Sequence, residues 1–352
     1  MSIYQSAVKV EIFGSSHASA IGVTMTGLPA GLPVDILKLQ AFLARRAPGR
    51  FPWQSSRKEP DVPVFRSGVK DGLTDGTPLT AEIENCDIRR DDYTAQADTP
   101  RPGHADYPAR MKYGPDFDLS GGGPFSGRMT APLCIAGGLC REWLKQRGVA
   151  IDARILAIGP IRDDSLFSAS VEQKPFPVVD DVRGEDMIAA ITAAKQDGDS
   201  LGGIVECQIT GLPVGLGGPL FDGLESRISP LIFAIPAVKG VEFGDGFAAA
   251  ALRGSEHNDP YRIENGAVVS VTNHAGGILG GMATGAPLIF RAACKPTPSI
   301  AKPQQSVSLS RTENTTMTVS GRHDPCIVPR AVPCVEAAAA IAIFDAFLSE
   351  SR

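Results

Sequence analysis

The chain has 352 residues, 43% hydrophobic and 21% charged, which predicts a soluble globular protein with a large core organised as two domains or two structural halves. A formal net charge of −5 and a pI near 5.6 argue against a general nucleic-acid surface, because phosphate neutralisation needs a basic stripe, while local basic clusters can still hold a small anion. No apolar run near the ~20 residues of a membrane span is read from the sequence, and the N-terminus lacks a charged start, an apolar stretch and a small-residue cleavage site, so a cytoplasmic protein is expected.

In chain order, the first feature is the corner Gly14-Ser-Ser-His17-Ala18. Gly22 to Leu32 reads as a strand running into the turn Thr-Gly-Leu-Pro-Ala-Gly-Leu. Asp35 to Ala47 has helical spacing, with Ile36, Leu37, Leu39, Phe42 and Leu43 on one side. Val64 to Val69 is a short strand, and Thr74 to Leu79 a turn into another. A second corner, Arg101-Pro-Gly-His104-Ala-Asp, is followed by the glycine-rich loop Ser120 to Thr130. That loop enters a helix from Arg128 to Arg147, ended by Gly148 and apolar nearly all round, as in a helix buried on several sides. Glu185 to Gln196 and Val335 to Leu348 are further helices, and Ile204 to Ile209 and Val268 to Thr272 further strands. Gly203 to Leu216 repeats the core Thr-Gly-Leu-Pro-x-Gly-Leu, and Ala283 to Leu288 resembles Thr74 to Leu79. Two matched pairs in one order predict an internal duplication, each half holding a strand, a Gly-Leu-Pro turn, a helix and a hairpin. Short, alternating, glycine-interrupted strands favour antiparallel pairing.

All five histidines, His17, His104, His257, His274 and His323, occupy loop corners, which points to a polar site built from loops. The Ser120 to Thr130 loop offers amides at a helix N-terminus, suited to a phosphate or an anionic ring edge, with Ser126, Arg128 and Thr130 as added donors. Thr272 to Gly281 lets backbone approach a planar ligand, and Lys295-Pro-Thr-Pro-Ser299 sets an ammonium beside two hydroxyls. Arg45, Arg46 and Arg50, with Arg101 and Arg322 each near a histidine, suit phosphate and carboxylate groups; pairing with a helix C-terminus is the plainer reading of Arg45 and Arg46. The seven cysteines contain no Cys-x-x-Cys pair and read as buried free thiols. Histidine spacing fits proton transfer better than metal binding, and no metal is expected.

These segments together, from Phe13-Gly-Ser-Ser-His-Ala through Arg45-Arg-Ala-Pro-Gly, Arg101-Pro-Gly-His-Ala-Asp-Tyr, Gly121-Gly-Gly-Pro-Phe-Ser-Gly-Arg, Gly254-Ser-Glu-His-Asn-Asp and Thr272-Asn-His-Ala-Gly-Gly to Gly321-Arg-His-Asp-Pro-Cys, resemble the chorismate synthase family along nearly the whole chain. The resemblance implies an α/β fold of α+β type: a β-α-β sandwich with pseudo-two-fold duplication, helices between antiparallel sheets, one domain with halves at about 1–175 and 176–352. It also implies a homotetramer and the elimination of phosphate from 5-enolpyruvylshikimate 3-phosphate, with reduced FMN required. Carried over, His17 is the acid near the leaving phosphate, His104 the donor to reduced flavin, and Asp324, helped by Ser16, the proton relay. Flavin contacts are implied at Pro124, Phe125, Ser126, Pro236, Ala237, Gly280, Lys295, Pro296, Thr297, Pro298, Ser299 and Arg322. Arg46, Arg50, Arg101 and Arg128 are implied for substrate anions, Arg46 also for NADPH, and an external flavin reductase is the expected source of reduced FMN. The chain departs from the family's Gly-Glu-Ser-His-Gly at Gly14 to Ala18 and from its Arg-Ser-Ser-Ala-Arg-Glu-Thr loop at Pro124 to Thr130, and it has Pro52 where a basic residue is common.

Overall fold

The structure, a computed structural model, describes residues 1–55, 57, 59–86, 98–167, 169–319, 321 and 323–350. Alternation drives the sheets: Ile21, Val23 and Met25 face inward with Leu79, Ala81 and Ile83, and Val205, Cys207 and Ile209 do so with Leu288, Phe290 and Ala292. The first five-stranded sheet runs in the order Ser2–Gln5, Lys9–Gly14, Ala20–Thr26, Leu79–Glu84, Val64–Ser67. The second runs Val238–Phe243, Leu288–Cys294, Gly203–Thr210, Ala150–Ile158, Ile161–Arg162. Every neighbouring pair in both is antiparallel.

The repeated sequence has a repeated geometry. After Ala20–Thr26, Gly31 N–H donates to Thr74 O at 2.7 Å and Thr74 N–H to Leu32 O at 2.8 Å; after Gly203–Thr210, Gly215 N–H donates to Ala283 O and Ala283 N–H to Leu216 O, both at 2.9 Å. The leading glycines of the two turns, Gly27 and Gly211, have φ of 88° and 80°, a left-handed conformation that a side chain would strain. A helix follows each turn.

Between the sheets lie helices. In chain order the helices are α1 (Ile36–Arg46), α2 (Asp106–Tyr113), α3 (Thr130–Lys145), α4 (Asp181–Gln196), α5 (Leu224–Phe233), α6 (Gly254–His257) and α7 (Val328–Glu350). Asp35 caps α1 by accepting Lys38 N–H at 3.0 Å. The buried stripe of α1 is Leu39, Phe42, Leu43 and Arg46, whereas Ile36 and Leu37 point outward. Helix α4 begins four residues before the expected Glu185 because Asp180 caps it and Gly184, which resembles a breaker, packs against Val178. Helix α7 begins seven residues before the expected Val335, with Pro329 in its first turn, where a missing N–H costs nothing.

Helix α3 packs on the first sheet and α7 on the second, and the two pack on each other. Cys134 meets Cys334 at 3.8 Å between sulfurs, Gly137 meets Ala337, and Trp143 meets Phe344 with ring centroids 5.0 Å apart. The steady offset means that the helices run parallel, so both N-termini emerge at the same end. The 23-residue α7 is long and apolar enough to cross a bilayer by length and composition, contrary to the reading that no such run exists. It is instead enclosed by protein, and two fully buried acids tie it to both sheets. Glu336 accepts from Arg45 at 2.5 and 2.7 Å and from Ala153 N–H, while Asp345 accepts from Val8 N–H and Arg227, each at 2.8 Å.

A Cβ on Gly137 would sit 2.3 Å from both Cα and Cβ of Ala337. Gly137→Ala gains helix propensity but overpacks this contact, so we expect a net loss of about 1–3 kcal/mol, read as a lower urea midpoint at unchanged slope.

Candidate active site

The N-terminal ends of α3 and α7 open into a cavity of about 770 Å³ whose wall includes His17, His104, His323 and Asp324. Arg46, Arg57, Arg101, Arg128, Lys295 and Arg330 line it as well. Tyr113, stacked on Phe117 at 4.5 Å and 6.4 Å from Phe125, forms an aromatic shelf on one side.

Three consecutive glycines separate the two principal imidazoles. Gly121 and Gly122 have φ of 60° and 91°. A Cβ on Gly121 would lie 2.1 Å from His17 Cε1, and one on Gly122 would lie 3.1 Å from His104 Nε2. The loop is therefore glycine-rich because two rings rest on it.

Hydrogen-bond direction sets the His17 tautomer. Ser16 Oγ–H donates to Ser120 O at 3.0 Å, which leaves a lone pair of Ser16 Oγ to accept Nδ1–H of His17 at 3.0 Å. Ser16 thus serves His17, and among the described residues its hydroxyl makes no hydrogen bond to Asp324, contrary to expectation. Asp324 instead accepts from Ser55 N–H at 2.8 Å and from Arg330. Arg322 lies outside the described residues.

Most of the guanidinium groups are already held by carboxylates. Asp61, fully buried at φ 50°, bridges Arg46 at 2.5 Å and Arg128. Arg46 also donates to Thr130 Oγ1 at 3.0 Å, so this residue, expected to grip an anion, spends most of its donors within the protein. Arg128 bonds Asn85 at 3.0 Å, and its buried Nη2, 3.6 Å from Glu59, keeps a donor without a hydrogen bond. Arg101 is clamped by Asp106 and reaches Ser299 at 3.2 Å. Burial would raise the Asp106 carboxyl, but hydrogen bonds from Arg101 and His104 hold it well below the usual carboxylate range.

The wall also takes in Pro124, Phe125, Ser126, Pro236, Ala237, Thr297, Pro298 and Ser299. Lys295 Nζ donates to Gly103 O at 3.0 Å; burial, then Lys239, lowers the ammonium pKa. Thr297 Oγ1 is buried without a hydrogen-bond partner. Pro296 packs back on Gly202 and does not line the cavity. Two expected residues are elsewhere: Gly280 is exposed at the tip of the Ile278–Leu279 and Met282–Ala283 hairpin, and Arg50 is exposed, turned back onto Ala44 O and the Phe51 ring. His257 and His274 pair at 5.9 Å outside the cavity, with His274 bonded to Asp245.

Sequence reasoning missed Arg57, Asp61, Asp106 and Arg330. Asp106 was visible in the His-Ala-Asp run, but Asp61 carried no signal, because its partners lie 15 and 67 residues away. Burial opposes ionisation of Asp61, yet Arg46 and Arg128 outweigh it and keep its pKa low. The resulting stabilisation is complete above the unfolded carboxylate value of about 4 and is lost as pH falls through the lower folded value. Asp61→Asn should destabilise the fold by about 3–5 kcal/mol at neutral pH, measured by denaturant unfolding, and flatten the acid limb of stability.

Residues 8–348 match the family model described as chorismate synthase. The chorismate synthase of Lancefieldella parvula is 47% identical over 369 residues, covering 99% of this chain and 96% of its own. That of Korarchaeum cryptofilum is 44% identical over 356 residues, covering 99% and 98%. A solved structure titled as a crystal structure of chorismate synthase superposes with a TM-score of 0.77 at 26% identity, covering 99% of this chain and 93% of that one.

Proposed function

The chain belongs to the chorismate synthase family of lyases, and we propose that it carries out the anti 1,4-elimination of phosphate and a ring proton from 5-enolpyruvylshikimate 3-phosphate, giving chorismate. The observation that carries this reading is the convergence of His17, His104 and Asp324 on one cavity lined, among the described residues, by six arginine and lysine side chains. Cations placed before reaction stabilise a departing phosphate without reorganising during it. Arg57, Lys295 and Arg128, whose Nη2 keeps a donor without a hydrogen bond, would meet the substrate's anionic groups. His17, in its protonated form, hands a proton to the leaving phosphate while Ser16 fixes its ring. Asp324, steadied by Ser55 and Arg330, accepts the ring proton.

The site suits reduced FMN: the aromatic shelf offers a planar ring a flat neighbour, and the unpartnered Thr297 hydroxyl offers a ligand a hydrogen bond. Segments 124–126 and 236–237, with Lys295 and 297–299, would hold the group, and His104 would hydrogen-bond it. When bound, reduced FMN would supply transient electron density to phosphate loss. The reading includes a cytoplasmic homotetramer, each chain one domain with halves near 1–175 and 176–352. It also includes an external flavin reductase, with NADPH as an indirect reductant.

Anaerobic incubation with reduced FMN and the phosphorylated substrate should release phosphate and chorismate in equal amounts; flavin binding with no product would defeat the lyase reading. His17→Ala should slow phosphate release by about 10²–10⁴-fold while flavin affinity, followed by fluorescence, stays close to that of the parent. In air, FMN and NADPH alone should give no chorismate, and adding a flavin reductase with continuous oxygen removal should restore it; sustained turnover without the reductase would show that the chain reduces its own flavin.

A further inference from the structure

We propose that Asp106 is a positioning residue that locks His104 in the Nδ1–H tautomer, so that Nε2 is the nitrogen available to a bound ligand. The role in turnover rests on the function proposed above; the tautomer does not.

Asp106, the first residue of α2, is only 8% exposed and takes four hydrogen bonds. Oδ2 accepts Arg101 N–H at 3.0 Å and Arg101 Nε–H at 2.7 Å, while Oδ1 accepts Arg101 Nη2–H at 2.8 Å and lies 2.6 Å from His104 Nδ1. A rival arrangement exists, because Arg101 Nη2 is also 3.1 Å from His104 Nδ1 and could donate to it if the proton were on Nε2; its approach to Nε2 itself is longer, at 3.5 Å. Charge and distance decide between them. A carboxylate clamped by a guanidinium keeps no proton of its own, so the rival would press two lone-pair-bearing atoms to 2.6 Å in a buried site. The imidazole must supply the proton, through Nδ1. The other ring edge, with Nε2 and Cε1, then lies over Gly122 in the cavity wall.

The same carboxylate controls Arg101, whose Nη1 reaches Ser299, and Lys295 grips the loop through Gly103 O. Asp106 therefore ties the His104 corner to the 295–299 segment across the cavity. The other charged side chains in the wall, Arg46, Arg57, Arg128, Arg330 and Asp324, show no hydrogen bond to His104.

Asp106→Asn keeps the shape but reverses the hydrogen bond: its carbonyl, in the place of Oδ2, keeps Arg101 N–H and Nε–H, while its NH₂, in the place of Oδ1, gives up the bond from Arg101 Nη2 and donates to Nδ1, driving the proton to Nε2. Long-range ¹H–¹⁵N spectra of the full chain labelled at histidine, recorded where the imidazole is neutral and assigned by the signal lost in His104→Gln, read this directly. Wild-type protein should show His104 protonated at Nδ1, and Asp106→Asn should show it at Nε2. In turnover, Asp106→Asn should lower kcat by about 10²-fold with substrate KM little changed. An Nε2–H signal in the wild-type spectrum overturns the proposal, as does an Asn variant with wild-type tautomer and rate. The wild-type spectrum needs no active enzyme, so a chain that made no chorismate would refute the reaction and leave the tautomer to stand or fall separately.

Discussion

The contact of Gly137 with Ala337 sets the geometry on which the rest of the molecule depends. With no side chain at Gly137, α3 and α7 approach closely, and Cys134 with Cys334 and Trp143 with Phe344 continue the contact along the same direction. Parallel packing brings two helix N-termini to one end of the sandwich, where their dipoles favour negative charge. That end is the cavity. One packing decision thereby fixes the core and the sign of the potential in the site.

The same arrangement creates a difficulty that the buried carboxylates resolve. Arg128 and Arg330 sit at or just before the first turns of α3 and α7, where a helix dipole repels cations. Asp61 holds Arg128, and Asp324 holds Arg330. With Glu59 against Arg57 and Asp106 against Arg101, the carboxylates neutralise part of the charge that the cations among the described residues bring to the wall and fix where these guanidinium groups point. The remainder is positive and oriented in advance, a suitable environment for a phosphate about to leave. The imidazoles follow the same logic, each with Nδ1 committed to a protein partner: Ser16 for His17, Asp106 for His104.

Much of the architecture was legible in the sequence. Alternation of apolar residues marked the strands, the Thr-Gly-Leu-Pro repeat marked two equivalent turns, and the all-round apolar character of Thr130 to Cys140 marked a helix enclosed on every side. Local signals failed where a neighbour in space changed their meaning. Pro329 and Pro333 hid the first turns of α7, Gly184 hid the start of α4, and Arg46, read as pairing with a helix C-terminus or holding an anion, proved wholly buried because Asp61 waits opposite it.

By itself the sequence marked several strands, helices α1, α3, α4 and α7, the duplication and the groups proposed to move protons, since these rest on side-chain chemistry and short-range periodicity. Only the tertiary structure decided which charges face the cavity and which are spent on each other. Gly280 and Arg50 moved out of the site, Arg57 and Arg330 joined its wall, and Asp61 and Asp106 proved to hold wall residues from behind. The reason is physical. Whether a guanidinium is free to bind an anion depends on a carboxylate brought within 3 Å by folding, and such a partner can come from anywhere along the chain.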